Sequence, residues 1–172
     1  ADFQGGKTQE AFIKLDEYID KYPKDLAAKY NFALMAEKIN KTDLAIKNYK
    51  IVIKKDPNHW QSRNNLYLIF YHQKKYQDAL KLANEVLNIK PDYQPVLRDK
   101  AHILYHQKKL DVALKLISKS IKLNPKDYIA INILGIIHAG LRDHSLAKKI
   151  YLHAIKVNNK YFPSYSNLAK SL

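Results

Sequence analysis

Apolar and polar positions along the chain follow a helical beat. From Leu26 onward, apolar residues return every three or four positions, and short polar breaks interrupt them at regular intervals. The pattern predicts helices in pairs. A first helix runs over 26–39, 60–73, 94–107 and 128–141, and a second over 42–54, 76–89, 110–123 and 144–157. No apolar run approaches the length of a membrane-spanning helix.

The pairs repeat with a fixed period. Pro23, Pro57, Pro91 and Pro125 stand 34 residues apart, and Ala11, Ala45, Ala79, Ala113 and Ala147 keep the same spacing. Tyr71-His-Gln-Lys-Lys75 recurs as Tyr105-His-Gln-Lys-Lys109, and Ala79-Leu-Lys-Leu82 as Ala113-Leu-Lys-Leu116. The alanines suit a close crossing of two helices, where a larger side chain would force them apart. Ala33, Ala101, Gly135 and Ala169 supply the small residue on the first helix, whereas Tyr67 does not, so the second repeat is expected to pack with a local adjustment. Ile19, Ile53, Leu87, Ile121 and Ile155 share one place late in the second helix and should face the next pair. Proline then blocks continuation of the helix; Asn159 stands in its place in the last repeat.

A 34-residue helix–turn–helix unit resembles the tetratricopeptide repeat. Phe32-Ala33, Leu66, Leu134-Gly135 and Leu168-Ala169 match that family's first-helix core, and Asp56-Pro57, Lys90-Pro91 and Asn124-Pro125 its closing turn. The resemblance implies an all-α fold, a right-handed superhelical α-solenoid of antiparallel helix pairs. The expected organisation is a single domain, 1–172: a partial repeat 1–25, full repeats 26–59, 60–93, 94–127 and 128–161, and a partial repeat 162–172. Phe3-Gln-Gly-Gly6 reads as the end of a first helix with Thr8–Tyr22 as its partner, and Phe162–Leu172 as most of another first helix. Repeat arrays normally close on a polar cap. Leu168 and Leu172 do not resemble one, which suggests a segment of a longer protein or an end that docks on another surface.

In such repeats the first helices line the inner face of the stack. The family's ligand-facing places are the second, fifth, sixth, ninth, twelfth and thirteenth of each unit. Here they point to a concave peptide groove of Tyr30, Asn31, Leu34, Asn64, Asn65, Leu68, Tyr71, His72, Arg98, Asp99, His102, Tyr105, His106, Asn132, Ile136 and Asn167. Asn31, Asn65 and Asn167 share one place, with Asp99 and Ile133 in the others. An amide both donates and accepts, so a ladder of asparagines can hold an extended peptide by its backbone. This resembles the asparagine ladder in the superhelical repeats of O-linked N-acetylglucosamine transferase, whose first-helix motif is similar to Tyr165-Ser-Asn-Leu-Ala169. The chaperone-tail carboxylate clamp of co-chaperone repeats is not matched. Its places hold Tyr30, Leu34, Asn65, Pro95 and Asp99, of which only Asn65 fits.

Composition adds a preference of sign. Thirty Lys and Arg against 16 Asp and Glu give a net charge of +14, which favours an acidic partner. Nucleic acid is a weaker reading, because the lysines are spread along the chain and only Arg63, Arg98 and Arg142 offer a planar fork for phosphate. With no cysteine, disulfides and thiolate metal sites are excluded. His102 and His106 lie four apart on one helix face with Asp99 nearby, but the zinc-hydrolase glutamate is absent from His102-Ile-Leu-Tyr-His106, so a polar-aromatic wall is expected rather than a metal site. His59, His138, His144 and His153 read as isolated surface or packing residues. No phosphate loop, nucleophile elbow or converging catalytic set occurs, so no enzyme activity and no cofactor are expected. The first six residues lack the apolar core and basic flank of a secretory signal, which favours the cytoplasm unless a signal precedes Ala1.

The sequence therefore points to a protein-interaction scaffold that takes an extended peptide in its groove. The alternative is a structural role, in self-association through open ends or in docking within a larger, possibly catalytic, protein.

Overall fold

Residues 2–171 are described by the computed structural model, with side chains from Thr8 to Ser171; Leu172, one of the two leucines argued not to form a cap, lies outside them. Ten helices and no strand occur among the described residues. They fall into two compact units, 1–89 and 90–172. The first holds α1 (Asp2–Lys21), α2 (Leu26–Lys38), α3 (Thr42–Lys55), α4 (Trp60–His72) and α5 (Tyr76–Ile89). The second holds α6 (Gln94–His106), α7 (Leu110–Leu123), α8 (Tyr128–Gly140), α9 (His144–Val157) and α10 (Phe162–Ala169). Even-numbered helices are the first helices of the repeats. None of the described helices is long and apolar enough to cross a membrane.

The turn inside each pair has one construction. Asn40, Lys74, Lys108 and Arg142 take left-handed backbone, with φ of 60°, 58°, 62° and 64°. The next N–H then reaches back to a carbonyl of the last helical turn: Lys41 to Ala36 at 2.7 Å, Lys75 to Phe70 at 2.9 Å, Lys109 to Leu104 at 2.9 Å and Asp143 to His138 at 3.0 Å. This satisfies carbonyls that a helix end leaves without partners. The N-terminal segment departs from expectation, because α1 runs unbroken through Gly5 and Gly6 instead of turning there. A glycine pair weakens a helix by about 1 kcal/mol per residue. It does not make a turn unless the backbone goes left-handed, and no described glycine does.

Between pairs, the residue just before each first helix caps it where it can. Asp25 accepts from Ala28 N–H at 2.9 Å, and Asp127 from Ile129 and Ala130 N–H at 3.0 and 3.1 Å. His59 does the same through Nδ1 to Ser62 N–H at 3.2 Å, so it is a helix cap and not an isolated surface residue. At the shared place late in the second helices, Ile19 is buried, and Ile53, Leu87, Ile121 and Ile155 are half-buried. Phe12 of α1 stacks on Phe32 of α2 at 4.7 Å, with Lys41 Nζ 4.4 Å over its ring.

The core explains how Tyr67 is tolerated. Two repeat places, the eighth on the first helix and the twenty-fourth on the second, carry Ala33 with Tyr49, Tyr67 with Ala83, Ala101 with Ile117, and Gly135 with Tyr151. All eight residues are buried. A large residue on one helix always faces the register of a small one on the other, and in the second repeat the assignment is reversed. In the fourth repeat the fit is direct: a Cβ on Gly135 would stand 2.5 Å from Tyr151 Cε1. The local adjustment is therefore an exchange of volume between two helices, which keeps the packing dense.

Candidate functional site

In the first unit, α2 and α4 carry the predicted groove residues. Asn31 is exposed, Leu34 is 39% exposed, and Tyr30, Leu68 and Tyr71 are half-buried. Asn65 spends its amide hydrogens inside the protein, donating to Tyr49 Oη at 3.2 Å and to Tyr30 Oη at 3.4 Å. Tyr49 in turn donates to Glu37 Oε2 at 3.0 Å. Burial, reinforced by the Glu37 charge, raises the Tyr49 phenol well above its ordinary range, so it remains a donor. Asn64 is buried, with Nδ2 3.5 Å from Asn65 Oδ1. Tyr71 packs its ring near Tyr67, Tyr76 and the exposed His72. A hollow of about 310 Å³ opens here, lined by Leu34, Glu37, Lys38 and Asn65.

In the second unit, α6, α8 and α10 carry the rest. Arg98 is held internally: Nε donates to Asp99 Oδ1 at 2.7 Å and Nη1 to Asp127 Oδ2 at 3.1 Å. Gln94 Nε2 donates to the same Asp127 oxygen at 2.7 Å and to Ser120 Oγ at 2.8 Å. Burial by itself would raise the Asp127 carboxyl, but the Gln94 amide, the Ala130 N–H and the Arg98 guanidinium outweigh it and hold the pKa below the ordinary range. Arg98 and Asp99 thus form part of the joint between α6, α7 and α8. Asn132 is 3% exposed, and its Oδ1 accepts from Ser164 Oγ and from Asn167 Nδ2, both at 3.1 Å. Tyr105 and Ile136 are half-buried. They line a hollow of about 260 Å³ with Ala139, His144, Tyr151, Asn167, Lys170 and Ser171. His144 therefore borders a cavity, and His138 Nδ1 lies 3.6 Å from Asp143 Oδ2, so neither is isolated. His102 and His106 approach with Nε2 atoms 3.1 Å apart. Among the described residues, no group of three or more His, Asp or Glu converges as a metal set.

The two hollows correspond. Leu34 with Asn65 in one, and Ile136 with Asn167 in the other, occupy the same pair of repeat places, 102 residues or three periods apart. Glu37, Lys38 and Lys170 line them without having been singled out from sequence. The register contains them all the same, because Glu37 holds the place of Tyr71 and Tyr105, Lys38 that of His72 and His106, and Lys170 that of Leu34. A third hollow, of about 390 Å³, is lined by Ile53, Leu66, Phe70 and Leu82 with charged groups of both signs, Lys50, Lys54 and Lys81 against Asp78 and Glu85.

Known proteins agree with this architecture. Residues 30–94, 70–134 and 129–161 match three family models, each described as a tetratricopeptide repeat. The chain belongs to the tetratricopeptide-repeat family. Among solved structures, MamA residues 41 to the end from Desulfovibrio magneticus RS-1 is 18% identical, with a TM-score of 0.80 over 92% of this chain and 90% of that one. YrrB, described as a TPR protein with an unusual peptide-binding site, is 15% identical, with a TM-score of 0.77 over 91% of this chain and 81% of its own. A tetratricopeptide repeat protein from Parabacteroides merdae ATCC 43184 is 16% identical, with a TM-score of 0.85 over 98% of this chain and 67% of its own. At such identities the likeness establishes the fold, an all-α helical-repeat solenoid. No curated protein sequence matches the chain. As a tetratricopeptide-repeat protein, the chain has the fold of a protein–protein interaction scaffold.

Proposed function

We propose that the chain binds an extended, net acidic peptide segment on the first-helix faces of its repeats. The observation that carries this reading is the recurrence of a hollow at one pair of repeat places in both units. Each joins an aliphatic side chain to an asparagine and a lysine: Leu34, Asn65 and Lys38 in the first unit, where Glu37 also lines the wall with its carboxylate accepting from Tyr49, and Ile136, Asn167 and Lys170 in the second. An apolar floor takes a side chain, and a lysine at the edge favours a carboxylate. The asparagines act first as braces, since their amide hydrogens go to Tyr30, Tyr49 and Asn132. Specificity is assigned to Tyr30, Leu34, Leu68, Tyr71, Tyr105 and Ile136, with Arg98 positioning α6 rather than meeting ligand.

The test uses fluorescein-labelled peptides rich in Glu, Asp and Leu, with Lys-for-Glu versions as controls, in fluorescence anisotropy. Leu34→Glu and Lys170→Glu are expected to weaken the acidic peptides about tenfold each, by blocking an apolar contact and reversing a charge. Unchanged affinity in both, with loss in Lys81→Glu, moves binding to the third hollow and overturns the reading. Steady binding that survives raised salt equally for acidic and basic peptides overturns the charge preference.

A further inference from the structure

The ninth and thirteenth places of the first helix carry Leu34 and Lys38, Leu68 and His72, His102 and His106, then Ile136 and Gly140. The third repeat alone puts an imidazole at both. His102 therefore replaces an aliphatic residue at a place that the other full repeats fill with Leu or Ile.

The geometry of that replacement is specific. Four residues on one helix bring two side chains onto the same face, one turn apart. The rings meet edge to face at 73°, with centroids 4.6 Å apart, and their closest polar atoms are Nε2 and Nε2 at 3.1 Å. Two nitrogens so placed can share a proton, one donating to the other. They can equally share a metal ion. With metal–nitrogen distances of about 2.0–2.1 Å, a 3.1 Å separation subtends about 100° at the ion, between square-planar and tetrahedral values. His106 is exposed, so an ion has access to it from solvent. Asp99, whose Oδ1 accepts from Arg98, does not join them: among the described residues no three His, Asp or Glu converge.

We propose that His102 and His106 form a two-imidazole chelate for a late first-row divalent ion, Cu²⁺ above Ni²⁺ and Zn²⁺. Imidazole suits these ions, and their order follows the general affinity series. Two protein ligands leave the remaining positions to water or to a donor side chain of whatever occupies the face. The site is thus distinct from a closed structural metal centre, which uses four protein ligands. It stands independently of the peptide-binding reading, because it needs no second macromolecule.

The experiment is a Cu²⁺ titration of the whole chain by calorimetry near neutral pH, with electron paramagnetic resonance of the one-to-one complex. His106→Gln and His102→Leu are the variants. The second places at 102 the residue that the repeat carries at 68, so it is expected to fold, and circular dichroism checks both. His153→Gln, exposed on α9, is the control. The wild type is expected to take one equivalent with hyperfine coupling to two imidazole nitrogens. Each single variant is expected to bind about tenfold or more weakly, with one coupling fewer, because half the protein ligands are gone. Unchanged affinity in either variant, coupling to a single imidazole in the wild type, or an equal loss in His153→Gln would each overturn the proposal.

Discussion

The second and fourth repeats fill the same space from opposite sides. In the first unit Tyr67 on α4 accompanies Ala83 on α5; in the second unit Gly135 on α8 accompanies Tyr151 on α9. All four are buried. The repeat therefore keeps the summed volume of a helix pair rather than the identity of either residue. The polar joints differ in the same spirit. The first unit ties α2, α3 and α4 with a neutral amide and two phenols, Asn65, Tyr30 and Tyr49, ending on Glu37. The second ties α6, α7 and α8 with charged groups, Arg98 against Asp99 and Asp127, joined by Gln94 and Ser120. The Asp127 carboxylate, held below its ordinary pKa, makes the second joint weaken as acid protonates it.

The largest effect tests the volume exchange. Tyr67→Ala leaves two alanines at the paired places and should cost about 3–5 kcal/mol through an unfilled cavity. Adding Ala83→Tyr recreates the pairing that Ala33 and Tyr49 already use, and should recover at least about half of the loss. Urea unfolding of the two variants checks this. A double variant no more stable than Tyr67→Ala would end the claim that volume moves freely between the helices.

A smaller effect tests the charged joint. Asp127 caps α8 and accepts from Gln94 and Arg98, so Asp127→Asn should cost about 2 kcal/mol, discounted for the part-exposed guanidinium. Its carboxyl has a folded pKa below the unfolded one. The stabilisation is therefore complete above the unfolded pKa and disappears as pH falls through the folded pKa. The gap between wild type and Asp127→Asn in thermal unfolding should shrink steadily below about pH 4. A constant gap would remove the electrostatic account and leave only a shape effect.

The smallest effect sharpens the fourth repeat. Gly135→Ala adds a methyl 2.5 Å from a buried ring carbon. Overpacking costs about 1–3 kcal/mol, and better helix propensity returns about 1 kcal/mol, so a modest net loss is expected. Gly135→Ala with Tyr151→Ile reproduces Ala101 and Ile117 of the third repeat and should be more stable than Gly135→Ala alone in the same denaturation assay. The opposite order would show that Tyr151 yields without cost.

Much of the architecture was legible because its signals are local and periodic. Prolines at one spacing, apolar residues at helical spacing and a small residue at each crossing located eight helices to within one residue of their observed ends. The candidate face was legible as a register, but not the state of its members. Arg98 reads as a free cation in sequence, yet two carboxylates hold it, one of them 29 residues away. Asn132 reads as a groove amide and is buried beneath Ser164 and Asn167. Lys38 and Lys170 fall on ligand-facing places but carry no signal in sequence, because the other repeats hold residues of different chemical type there.

By itself, then, the sequence determined the repeat length, the pairing of helices and the faces they turn to one another, since each depends on residues within a turn or two of the helix. The tertiary structure alone decided which side chains on those faces are spent on one another. Tyr30 with Asn65 and Arg98 with Asp127 depend on distances of a few tenths of an ångström between packed helices, and a hydrogen bond is gained or lost over that range.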